Sequence, residues 1–187
     1  MLLQTFFTAL VAATAGLAAP LEPRANDFFT PSALWTYNVA NGAISSTSEG
    51  RVTKHPSNGG NDNTALFTFT YPEFARNKKC RFAFYLANGE NVIGSGKLDL
   101  FSSLKPAPGP RAGWGPGNQR NVHLGRLDVK KGDFATWDAT YGTYMTSKTN
   151  CEKPGTKVGL ELVGVYDTDA VYWNPSKSGP RIIVTNN

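Results

Sequence analysis

The chain has 187 residues, 40% of them apolar and 12% aromatic, with 19 Lys and Arg against 14 Asp and Glu. That length builds one core and is short for two typical domains. The formal net charge of +5 is scattered, with Lys78-Lys79 and Lys130-Lys131 the only tight basic pairs. The clustered stripe that a nucleic-acid footprint needs is therefore missing, and those pairs read as solvated turn charge.

From Leu2 to Leu17 the sequence is almost wholly apolar and carries no charged side chain. Gly16 and Ala18 then put small residues at both specificity positions of a signal peptidase site, so residues 1–18 read as a secretory signal, cleaved after Ala18 or alternatively after Ala19. A membrane anchor needs roughly 20 apolar residues, and Pro20, Glu22, Pro23 and Arg24 interrupt the run first. Residues 19–25 form a leader, and 26–187 the expected domain.

Beyond the leader, short apolar-alternating runs are separated by Gly, Pro, Asn and Asp, with no sustained helical period. Strands are predicted over 34–40 and 51–55, and then over 64–71, where Ala65, Phe67, Phe69 and Tyr71 share one face. Thr64, Leu66, Thr68 and Thr70 share the other, with the threonines directed outward. The same alternation places Cys80, Phe82, Phe84 and Leu86 on one inward face. Further strands are expected over 97–101, 122–129, 135–137, 158–166, 171–173 and 181–185. Within 158–166 the apolar parity shifts across Gly164, as at a bulge or a sheet-switching bend. The fold class is all-β, an antiparallel, jelly-roll-like β-sandwich.

Turns are expected at Asn58-Gly59-Gly60-Asn61-Asp62, at Asn88-Gly89-Glu90, at Lys131-Gly132-Asp133 and over 175–180. The longest irregular stretch, 105–121, holds four prolines and four glycines. It sustains neither ladder nor helix, and reads as a functional loop or a crossover between sheets. Cys80 and Cys151, the only two cysteines, are expected to pair in an oxidising compartment; closing such a loop contributes about 4 kcal/mol in the chain-entropy treatment. A catalytic thiol would need a partnered base, and only His55 and His123 are present.

The segment Gly113-Trp114-Gly115-Pro116-Gly117-Asn118-Gln119-Arg120-Asn121-Val122-His123-Leu124-Gly125-Arg126-Leu127 resembles the signature stretch of the fungal ubiquitin-three-binding-protein (But-two) C-terminal domain family. Gly50 to Lys54, Lys97 to Phe101, Cys151, Glu161-Leu162-Val163 and Asp169 to Trp173 match further stretches, so the resemblance spans about residues 26–186. It implies a β-sandwich-like fungal domain, often behind a signal peptide, with cysteines placed like Cys80 and Cys151. No reaction comes with it. The family's name derives from a member that binds a ubiquitin-like-protein activating enzyme, an intracellular partner that an exported chain would not meet. Gly115 departs from the pattern, since members often carry a second proline there.

Trp114, Asn118, Arg120, His123 and Arg126 are the candidate ligand-binding residues. An indole offers a platform for a pyranose face, while amide and guanidinium groups bond its hydroxyls. In the structural alternative Trp114 plugs the loop into the core, and Arg120 or Arg126 pairs with Asp99 or Asp128. Gly113, Gly115 and Gly117 precede no Lys-Ser or Lys-Thr pair, which excludes a phosphate cradle of the nucleotide-binding kind. Asp138, Glu161, Asp167 and Asp169 have no calcium-ligand register and read as solvated hairpin carboxylates. No Gly-x-Ser-x-Gly elbow is present, and neither cleavage site exposes the N-terminal histidine that a copper-dependent polysaccharide oxidase requires. No catalytic residue, metal or cofactor is assigned.

The leading expectation is a secreted, monomeric, non-catalytic binding protein, extracellular or in the cell wall, with a glycan or an extracellular protein as ligand. It requires no nucleic acid and no membrane insertion after signal cleavage. Two alternatives stand beside it: a small secreted carbohydrate-active hydrolase whose carboxylate pair is not visible in spacing, and an intracellular binder of a ubiquitin-like-protein activating enzyme.

Overall fold

The structure, a computed structural model, describes residues 27–113 and 119–186. The predicted signal peptide and leader lie outside the described residues, as do Trp114 and Asn118.

The strands in chain order are β1 (Phe28–Phe29), β2 (Ala33–Asn38), β3 (Ile44–Ser46), β4 (Gly50–Lys54), β5 (Asn63–Thr70), β6 (Lys79–Leu86), β7 (Asn91–Gly94) and β8 (Lys97–Ser103). They continue as β9 (Arg120–Asp128), β10 (Asp133–Phe134), β11 (Thr136–Thr140), β12 (Thr149–Asn150), β13 (Lys157–Gly164), β14 (Asp169–Trp173) and β15 (Gly179–Thr185). A 3₁₀ turn at Glu73–Ala75 links β5 to β6.

Two antiparallel sheets face each other as a β-sandwich. The small sheet runs β1-β15-β6-β10, and β12 also pairs with β6. The large sheet runs β11-β9-β8-β13-β5-β4-β14-β7, with β2 alongside β5 and β3 alongside β2. Alternation decides the inner layer. Phe67, Phe69, Leu98, Leu100, Leu160 and Leu162 from the large sheet meet Phe82, Phe84, Leu86 and Ile182 from the small one in a single core, each at most 1% exposed. At roughly 1.5–3 kcal/mol per buried side chain, this layer is the main driving force for the fold. Trp173 closes one end of it edge-on to Phe84 at 5.2 Å. A Cβ on Gly50 or Gly179 would fall inside the indole, at 1.9 and 2.3 Å, so only glycine fits on either side of it.

The expected Cys80–Cys151 bridge is formed. It ties β12 to one end of β6, next to the Thr149–Cys80 register pair, and Cys80 is buried on the inward face as its parity required.

Three local expectations are corrected. Both ladders of β13 run without a register shift up to Gly164, so no bulge lies there. The irregularities are in the β8–β9 pairing around Phe101 and in the β9–β11 pairing between Trp137 and Ala139. Thr64, Leu66 and Thr68 do point away from the core, yet all three are buried. The cause is the third correction: β8 and β9 belong to one sheet, so the connection between them is no crossover between sheets. β8 and β9 are antiparallel neighbours, and the loop joining them is closed at its base by the Leu104 N–H donating to the Gln119 carbonyl at 2.8 Å. Residues 104–113 fold back over the outer face of the large sheet. Arg111 and Ile44 exchange two backbone hydrogen bonds of 2.9 Å. Pro106 crosses Gly159 so closely that a Cβ there would lie 2.9 Å from its Cα. Beneath this cover Tyr37, Ile44 and Leu66 form a second small apolar cluster, flanked by Trp35 and Ala107.

Candidate binding face on the large sheet

Parity sends Asp99, Phe101 and Ser103 of β8 outward, and the register sets Arg126, His123 and Arg120 of β9 opposite them in that order. On the other side of β8, Glu161 of β13 lies opposite Phe101 and Val163 opposite Asp99. Three of the candidate residues, Arg120, His123 and Arg126, therefore share one surface. Trp114 and Asn118 are not described.

Each arginine is held by a carboxylate and lies over a ring. Glu161 is 0% exposed, and it accepts from Arg120 Nε at 2.8 Å and Nη2 at 2.7 Å and from the Thr64 hydroxyl at 2.7 Å. This fork satisfies a charge that would otherwise be buried at a cost of several kcal/mol. The hydrogen bond to Glu161 raises the Arg120 pKa above its usual value, against the desolvation that lowers it. The Arg120 guanidinium lies 4.9 Å above the Phe101 ring centre. Arg126 repeats the device, donating from Nε and Nη2 to Asp99 at 2.8 and 3.1 Å and lying 5.3 Å over Tyr166. That bond to Asp99 lifts the Arg126 pKa well above the ordinary arginine range. Of the pairings expected, Arg126 with Asp99 is present. Asp128 instead faces Lys97 at 3.5 Å and Lys130 at 3.3 Å.

His123 lies between two rings, stacked on Phe101 at 4.5 Å and tilted against Tyr141 at 4.6 Å. Its Nε2 is 3.3 Å from Asp99 Oδ1 without a hydrogen bond between them. Tyr141 is 56% exposed, so the row Phe101-His123-Tyr141 ends in an open aromatic surface flanked by two guanidinium groups.

The carboxylates read from sequence as solvated behave otherwise at two positions. Glu161 is buried as described. Asp169 is also 0% exposed; it accepts from the Gly96 and Val165 amides at 2.8 and 2.9 Å and from the Ser95 hydroxyl. Two backbone amides and one hydroxyl thus fix this anion at the turn before β8. The signal for Glu161 was its place in Leu160-Glu161-Leu162, where strand parity lays a carboxylate on the face opposite two core leucines. Among the described residues no group of three or more His, Cys, Asp or Glu could hold a metal ion, and no helix is long and apolar enough to cross a membrane.

Next to Arg120 a cavity of about 170 Å³ is lined by Val39, Thr53, Lys54, Asp62, Asn63 and Val163, among others. A second, of about 210 Å³, is lined by His55, Pro56, Asn58 and Asp167 and shares Lys54 and Asp62 with the first.

No protein-family model matches the chain, and no curated protein matches it.

Proposed function

We propose that this chain is an exported, non-catalytic binding protein, extracellular or cell-wall-associated, related to the But-two C-terminal domain, and that its ligand is a glycan held on the outer face of the large sheet. One observation carries this reading: the Phe101-His123-Tyr141 row, open at Tyr141 and bordered by Arg120 and Arg126. The exposed Tyr141 ring, with planar guanidinium donors on the same face of the sheet, suits the apolar face and the hydroxyl rim of a pyranose. The Cys80–Cys151 disulfide is compatible with an oxidising compartment. Binding is favoured over hydrolysis because Asp99 and Glu161, the carboxylates nearest the aromatic row, each have both oxygens engaged by a guanidinium. Neither of these two has an oxygen free of a guanidinium for proton transfer to a substrate.

The test is retention of the purified secreted protein on insoluble chitin and β-glucan and on an array of soluble glycans. Wild type is retained, and Tyr141→Ala weakens binding about tenfold, the loss of one exposed ring's stacking contribution. Absence of retention on every glycan rejects the reading, as does turnover of a polysaccharide by the same preparation.

A further inference from the structure

The two cavities that share Lys54 and Asp62 form one groove beside Arg120, at the edge of the proposed binding face. Lys54 is half-buried at its centre. Unlike Arg120, Arg126 and Lys97, it has no carboxylate within ion-pair distance among the described residues. Asp62 is oriented by its own loop: Oδ1 accepts from the His55 amide at 3.2 Å and from Asn58 Nδ2 at 2.5 Å. Both bonds go to the same oxygen, and Oδ2 accepts no hydrogen bond from the described residues. Thr53 and Asn63, joined by the Asn63 Nδ2 donating to the Thr53 hydroxyl at 3.0 Å, add hydroxyl and amide groups to the walls, and Val39, Val163 and Pro56 add apolar surface.

We infer that this groove binds an acidic saccharide, with a uronate carboxylate on Lys54 and ring hydroxyls on Asp62. The inference rests on the glycan-binding reading above and names its ligand class. Mixed charge decides the class. A ligand that is anionic throughout, such as a phosphate cluster or an acidic peptide, would be repelled by Asp62 and Asp167 in the same walls. A neutral sugar would leave the Lys54 ammonium desolvated without a partner. A uronate offers one carboxylate per ring for the cation and several hydroxyl donors for the carboxylates. The short Thr and Asn side chains between them pair with the remaining hydroxyls in either direction.

The experiment is titration of the purified full domain with trigalacturonic acid, cellotriose and a hexa-aspartate peptide, followed by calorimetry or NMR shifts. Lys54→Gln and Lys54→Arg are titrated in parallel. Trigalacturonic acid is expected to bind more tightly than cellotriose and to weaken as salt is raised. It should lose about tenfold in affinity in Lys54→Gln, the size of one charge-assisted contact, with most of that restored in Lys54→Arg. Unchanged uronate affinity in Lys54→Gln, with a normal spectrum of folded shifts, overturns the inference while leaving glycan binding on the aromatic row intact. Tighter binding of hexa-aspartate than of the uronate overturns it in favour of an acidic protein ligand. If no saccharide of either kind binds wild type, both readings fall.

Discussion

The two faces of the large sheet are both buried near β13, but by different means. Inward, Leu160 and Leu162 meet the small sheet across a layer of phenylalanines and leucines in which shape is the only requirement. Outward, Glu161 between those two leucines is just as inaccessible, held under the Arg120 and Thr64 side chains, while Pro106 crosses the same face at Gly159. There the requirement is charge balance, met by Arg120 and Thr64. A core made by two sheets is filled by shape, whereas the outer face holds a carboxylate by pairing it and still opens at its edge into the proposed binding surface.

Truncation on the inner face separates the two most strongly. Phe84→Ala removes a ring that is 0% exposed and edge-on to Trp173, and it is expected to cost about 3–5 kcal/mol in chemical denaturation. A loss below about 1 kcal/mol would mean that the layer is not close-packed.

On the outer face, Arg120→Ala strands the Glu161 carboxylate. With the Arg120 side chain 38% exposed, water takes up part of the charge, so the expected cost is about 2–3 kcal/mol, below that of breaking a fully buried pair. The sharper test is the double variant Arg120→Met, Glu161→Leu, which should recover at least half of that loss because no charge is left behind. No recovery would show that the arginine acts through packing on Phe101 and not through the carboxylate.

The smallest effect is confined to alkaline pH and to the rim of the inner layer. Tyr71 is buried against Phe29 at 5.2 Å, and burial pushes its pKa above the ordinary tyrosine value of 10. With the folded value raised, the native state keeps the proton that the unfolded chain releases above about pH 10. The contribution is therefore complete below that pH and is lost as pH climbs toward the folded value. Unfolding midpoints measured from pH 8 upward should fall less steeply in Tyr71→Phe than in wild type; parallel slopes would place the phenol in water.

How far the sequence reaches follows from the same contrast. Ten strands were legible because alternation over five or more positions, or a short apolar run between turn residues, reports a half-buried ribbon. The five that escaped, β1, β3, β7, β10 and β12, are two to four residues long. Strands so short contain no period to read and exist only where a longer strand offers an edge. The disulfide was legible from a count of cysteines, and Arg126 with Asp99 was one of the four pairings that charge allowed. Arg120 was named as a candidate, but its partner was not, since Glu161 is 41 positions away.

What the chain determined by itself is therefore the local alternation: which residues point in, where the chain turns, and that two thiols have only each other. Tertiary structure alone decided that residues 104–113 cover the outer face, that Glu161 and Asp169 are buried, and that Lys54 and Asp62 share a groove beside Arg120. The physical reason is that side-chain parity is a property of one strand. Desolvation of a charge depends instead on what other segments, distant in sequence, place above it.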